Sequence, residues 1–168
     1  MKKQMRQILA LVLAAVLLST ISACKPKVKE QRVGDDFYGY LTVTEDWETL
    51  IDSSGDTDMV QYTDGEKQVL ITCMVYAEIN LDDARANLDA LFTRMEVSDL
   101  KYQTINLDKG AISPVYKISF FHQEVKTNLV IYLFDGSDGL TRYLCVEGTG
   151  EMLEQGVNIV ETTYSLTR

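Results

Sequence analysis

Leu129-Val130-Ile131-Tyr132-Leu133-Phe134 is an unbroken apolar run, set between Asn128 and the turn-forming stretch Asp135-Gly136-Ser137-Asp138-Gly139. Its shortness and its β-branched and aromatic content mark a strand. Side chains alternate across a strand, so Leu129, Ile131 and Leu133 face one side of a sheet and Val130, Tyr132 and Phe134 the other. Both faces then need cover, and a sheet solvated on one side does not supply it. The fold expected is α+β: an antiparallel sheet of six to seven strands sandwiched between helices, α/β/α.

Working outward, strands are predicted at about Arg142–Glu147, Val115–His122 and Lys101–Leu107, joined by hairpin-length links that include Asp108-Lys109-Gly110. Pro114 belongs at the mouth of its strand, where a missing N–H does no harm. Between Asn80 and Met95 the apolar period changes to about 3.6, with Leu81, Ala84, Leu88, Leu91, Phe92 and Met95 on one face. That segment is a helix, with Asn80 as its cap and Asp82 and Asp83 at the positive end of its dipole. A second helix is expected from a cap at Thr149, turning Met152, Leu153, Val157 and Val160 inward over the other face of the sheet. Upstream, Tyr38–Val43 reads as a first strand. Met59–Thr63 and Lys67–Tyr76 flank Asp64-Gly65, whose ease at positive φ signals a tight hairpin.

The stretch Gly39-Tyr40-Leu41-Thr42-Val43-Thr44-Glu45-Asp46-Trp47, the strand and helix order, and the closing Val160-Glu161-Thr162-Thr163-Tyr164-Ser165 resemble the PsbP-like family over about residues 37 to 165. Where that family usually carries proline before its tryptophan, this chain has Thr44 or Glu45. The resemblance implies the sheet-between-helices fold and a non-catalytic accessory or binding role. It also implies that Trp47 packs between the first strand and the core.

The amino terminus carries a second signal. Lys2, Lys3 and Arg6 precede an eleven-residue apolar run, Ile8 to Leu18, which leads to Ile21-Ser22-Ala23-Cys24. A basic segment, a short apolar run and small residues before the cut fit a secretory signal. A run this short argues against a spanning helix. The arrangement resembles a bacterial lipoprotein signal, which implies lipid on the Cys24 thiol and an N-terminus held by acyl chains, palmitate among them, in the cell envelope. The expected organisation is a signal peptide over 1–23, a lipidated cysteine and basic tether over 24–36, and one domain over 37–168. Lys25 to Arg32 holds four basic residues and one acid, whereas residues 33–168 hold nine basic and twenty-four acidic, a net of −15. Such a body repels phosphates, which excludes a nucleic-acid partner. The expected partners are the membrane, through the lipid, and a protein.

Catalytic constellations are absent from the sequence: there is no His-Glu-x-x-His, Gly-x-Ser-x-Gly, phosphate-binding Gly-Lys-Ser/Thr loop or Cys-x-x-Cys. The one histidine, His122, ends a strand and reads as structural or exposed. No enzyme and no cofactor is expected. The alternative function is a divalent-cation or small-ligand binder, because oxygen-rich turns hold hard cations. Its candidate ligands are Asp52, Asp56 and Asp58 in one loop and Asp135 and Asp138 in another, though neither loop has the bidentate Glu of an EF-hand. Gly148-Thr149-Gly150 reads as a helix cap before it reads as an anion cradle, since Glu151 puts negative charge where an anion would sit. Export permits a Cys73–Cys145 disulfide, although both cysteines lie inside predicted apolar strands.

Overall fold

The computed structural model describes residues 28–51, 59–97, 99–107 and 111–168, with the side chains of 111–113 outside that description. Nine strands and two helices are found among them: β1 (Glu30–Asp35), β2 (Gly39–Thr44), β3 (Glu48–Ile51), β4 (Met59–Thr63), β5 (Val69–Tyr76), α1 (Leu81–Arg94), β6 (Lys101–Ile105), β7 (Ala111–His122), β8 (Thr127–Gly136), β9 (Thr141–Gly148) and α2 (Gly150–Thr163). Seven strands form one antiparallel sheet in the order β3-β4-β5-β9-β8-β7-β6, and β1 and β2 form a separate antiparallel ribbon. The fold is α+β, a sheet flanked by helices.

The register explains why the sheet needs cover on both sides. Val69, Ile71, Cys73, Val130, Tyr132, Phe134, Leu144 and Val146 point to one face, where they pack with Ile159 and Val160 of α2 and with Leu41 and Val43 of the ribbon. Ile118, Phe120, Ile131, Leu133 and Cys145 point to the other face, under Ala84, Leu88 and Phe92 of α1. Burying each such large side chain stabilises the fold by about 1.5–3 kcal/mol. On α1, Asn80 Oδ1 accepts the Asp83 N–H at 2.9 Å, and Phe92 meets Phe120 edge to face at 5.0 Å. Thr149 stands at the N-cap of α2 but makes no side-chain cap bond, so only the position expected of it is kept.

Several elements differ from the sequence reading. The segment set aside as tether over 24–36 contributes β1, so the folded body starts by Glu30 and not at 37. Glu30-Gln31-Arg32-Val33-Gly34-Asp35 has no apolar alternation, because it is held by a full ladder to β2 and not by a buried face. β3 is a short edge strand that the sequence reading left out. The Asp64-Gly65 hairpin exists, but the residue at positive φ is Lys67, and buried Asp64 organises the loop by accepting the N–H groups of Gln68 at 2.6 Å and Val69 at 3.0 Å. β7 starts at Ala111, and Pro114 sits in the irregularity between Ile112 and Tyr116, where the ladder to β8 shifts register. The link 108–110 and the loop 52–58 lie outside the described residues.

One end of the sheet gathers the turns 64–68 and 123–126, the β9–α2 junction and the start of β1. Lys29 O accepts the Glu45 N–H at 3.1 Å, and Asp46 O lies 3.0 Å from where a Cβ on Gly65 would sit. The opposite end holds the β8–β9 turn, the β5–α1 link and the chain's last residues. There Tyr40 and Ser165 exchange two backbone hydrogen bonds of 2.8 and 3.0 Å, and the Tyr164 hydroxyl donates to Tyr38 O at 3.0 Å.

Candidate functional site

Asp135 and Asp138 flank the β8–β9 turn, yet they do not converge on a common point. Asp135 Oδ1 accepts the Thr141 hydroxyl at 2.7 Å. Asp138 takes the guanidinium of Arg142 in a bidentate grip, with Nη1 to Oδ1 at 2.7 Å and Nη2 to Oδ2 at 2.6 Å, and accepts the Leu140 N–H at 3.2 Å. Arg142 is wholly buried on the α2 side of the sheet and also donates to Phe37 O at 3.1 Å and Leu140 O at 3.2 Å. These hydrogen bonds from Arg142 hold the Asp138 carboxyl below its ordinary range. Burial opposes the charge on Arg142, but the Asp138 pair overcomes it and the guanidinium is held charged. The Asp138–Arg142 pair is a structural clasp. Asp52, Asp56 and Asp58 lie outside the described residues, as does Cys24. Among the described residues no three His, Cys, Asp or Glu side chains are grouped to hold a metal ion.

The disulfide is corrected by register. Cys73 lies opposite Leu144 and Cys145 opposite Thr72, so the two cysteines are one residue out of phase and project to opposite faces. Both are free and buried, and burial pushes each thiol up to about 12. Trp47 is 4 % exposed and packs in the α2-side core with Leu41 and Val43. The Gly148-Thr149-Gly150 junction is occupied by its own chain, since a Cβ on Gly148 would meet Gln68 O and the Leu153 N–H, each at 3.3 Å.

Two surface features remain. His122, half-buried at the end of β7, lines a cleft of about 140 Å³ with Met95, Glu96, Val97, Asp99, Phe121 and Glu124. The cleft stands at the carboxyl end of α1, so the helix dipole adds to the negative field of its carboxylates. His122 Nδ1 is buried and has no hydrogen-bond partner among the described residues. Glu147 is near enough for charges on the two to interact; burial raises its pKa and a charged His122 works the other way. The arrangement can attract a small cation, but among the described residues it offers no nucleophile and no oriented acid–base pair.

The second feature is the sheet face beneath α1. That helix lies over β7 and β8 and the middle of β9, with Arg85 stacked on Tyr116 at 4.5 Å and Asp89 accepting the Tyr102 hydroxyl at 2.9 Å. The registers carry Met59, Gln61, Leu70, Thr72 and Met74 to the same face on β4 and β5, beside Tyr143. Met59, Leu70 and Met74 are half-buried and belong to neither apolar cluster. Sequence reasoning missed this area, because the mixed polarity of Met59, Gln61 and Thr63 gives no clean face until the register is known.

No protein-family model matches this chain, and no curated protein matches it.

Proposed function

We propose that this protein is an extracytoplasmic lipoprotein, anchored to the cell membrane through lipid on Cys24, whose domain is a non-enzymatic module that binds a partner protein. The observation that carries the binding reading is the half of the α1-side face that neither described helix covers, where half-buried Met59, Leu70 and Met74 lie outside both apolar clusters. Flat, mixed apolar and polar surfaces of this kind suit protein contact, and methionine adapts to irregular partners. The anchor is supported by the Lys2-to-Cys24 pattern, and a PsbP-like relationship by Gly39–Trp47 and the order of strands and helices. The non-enzymatic reading is supported by the lack of the catalytic sequence motifs named above and by His122 having no acid–base partner among the described hydrogen bonds.

Photo-crosslinking in the native membrane tests it. A photoreactive residue at Leu70 or Met74 should capture the same protein reproducibly, whereas one at exposed Asp82 on α1 or Glu154 on α2 should not. Equal background capture at all four sites would defeat the binding reading.

A further inference from the structure

We infer that the partner presents a basic amphipathic helix, which seats beside α1 over β5 and β4 and completes the helical layer on that face of the sheet. This rests on the reading of the same face as the binding surface. On the opposite face α2 and the β1–β2 ribbon share the cover, and Gly156 of α2 lies directly over Val69 of β5 and Val146 of β9. On the α1 side one helix is drawn toward the β6 edge. Asp89 accepts the Tyr102 hydroxyl of β6 at 2.9 Å, and Arg85 stacks on Tyr116 of β7 at 4.5 Å. With 3.6 residues per turn, Leu91 stands about 200° around the helix from Asp89, on the flank that faces β9 and β5. There it is 40 % exposed. The space beside that flank has the dimensions of a helix. α1 is centred on β8, and β5 lies two strands away, about 10 Å at a strand spacing of about 4.8 Å. Packed helices stand about 8–10 Å apart. A helix at that distance has half-buried Leu70 and Met74 for its floor, Leu91 for one wall and Met59 at its outer side.

Charge decides the kind of helix. The register carries Glu48 of the edge strand to this face, opposite Thr63, and Glu147 stands on β9 beside Leu70. Asp83 and Arg94 lie on the side of α1 turned away from Arg85, and Glu78 is exposed just before the helix. Exposed Glu66 and Lys67 in the adjoining turn offset each other. Glu48, Glu78, Asp83 and Glu147 therefore surround the trough against Arg94 alone. Glu147, beside His122, is half-buried and makes none of the ion pairs found among the described residues. A lysine or arginine on the docked helix supplies the cation that this carboxylate lacks, while the apolar stripe of the helix covers Leu70, Met74 and Leu91.

The test places a photoreactive residue at Leu70 or at Met74 of the full-length protein in its native membrane and reads the captured sequence and the adduct positions by mass spectrometry. The two sites are four residues apart on β5, about 13 Å. A helix running along β5 spans that distance in about 9 residues, and an extended segment in about 4. The adducts from the two sites should therefore lie about 9 residues apart on one segment, with apolar residues at i, i+3, i+4 and i+7 and an excess of Lys and Arg. Glu147→Gln should lower capture at both sites several-fold while raising the Tm of the free protein, opposite signs that a folding defect does not produce. Specific capture with adducts about 4 residues apart, on an acidic segment or on a second copy of this chain, overturns the helix and leaves the face a protein-binding surface. Capture undiminished in Glu147→Gln overturns it as well. Equal background capture at these sites and at Asp82 and Glu154, or capture of lipid alone, defeats the binding reading and this inference with it.

Discussion

Replacing Asp138 by asparagine separates two uses of an acidic turn. The carboxylate makes two short charge-assisted bonds to Arg142, at 2.7 and 2.6 Å, and the guanidinium it serves is fully buried. Hydrogen bonds to charged groups contribute about 1.5–3 kcal/mol each, and unpairing one member of a buried ion pair costs about 3–5 kcal/mol. Two features reduce that figure here. The Asp138 side chain is 40 % exposed, so water screens its outer edge, and asparagine retains one acceptor oxygen. The expected loss is about 2–3 kcal/mol, which for a domain of this size lowers Tm by about 6–12 °C. The double variant with Arg142→Met should be less damaging than the sum of the two single changes, because it removes the buried charge together with its partner. The pH profile gives a second readout. The native carboxyl is held below its ordinary value of 3.8. As pH falls, the unfolded chain therefore takes up this proton first; the stabilisation is complete above the ordinary carboxylate range and is lost as pH falls through the lowered native value. That component of the acid limb should vanish in Asp138→Asn. Thermal and urea melts across pH make the measurement. A Tm within about 2 °C of the parent at neutral pH, or a calcium-dependent rise in Tm that the substitution abolishes, would show that the clasp is misread.

Other consequences follow from the same packing. A Cβ on Gly156 would lie 2.6 Å from Val146 Cγ1 and 2.7 Å from Val69 Cγ2, both on stiff β-branched side chains. Gly156→Ala should therefore lose roughly 1 kcal/mol in urea melts, since overpacking of about 1–3 kcal/mol exceeds the gain of about 1 kcal/mol in helix propensity; a stabilised variant would mean that α2 can lift from the sheet. With their thiols pushed up to about 12, Cys73 and Cys145 should alkylate on the order of 10³-fold more slowly at pH 8 in the folded protein than in denaturant, as followed by mass, and no disulfide between them should form under oxidation. Rapid folded-state labelling would contradict their burial. Burial raises the Glu147 carboxyl, so protonation favours the native state and that contribution is lost as pH rises through the native value. Glu147→Gln should accordingly raise Tm at pH 7 and lose its advantage below the ordinary carboxylate range, whereas a lower Tm at pH 7 would assign Glu147 a pairing role.

The apolar run of β8 was legible because a strand buried on both faces leaves no polar alternation, and the structure covers both faces with helices. Helix α1 was legible from its 3.6 period and its Asn80 cap, both local properties. The two strands left out have no such local mark. β1 is charged and held by its ladder to β2, and β3 is a four-residue edge strand carrying Glu48, exposed Leu50 and a register shift.

The candidate site divides in the same way. Composition and spacing alone established the acidic body, the anchor-like amino terminus, the lack of catalytic motifs and the turn-forming aspartates. Which aspartate meets which cation was decided by tertiary structure, because Arg142 reaches Asp138 only once the β8–β9 turn folds β9 back beside β8. The fate of the two cysteines was decided there too. Each strand's own alternation is local, but the phase between β5 and β9 is set by their pairing, and a shift of one residue sends a side chain to the opposite face.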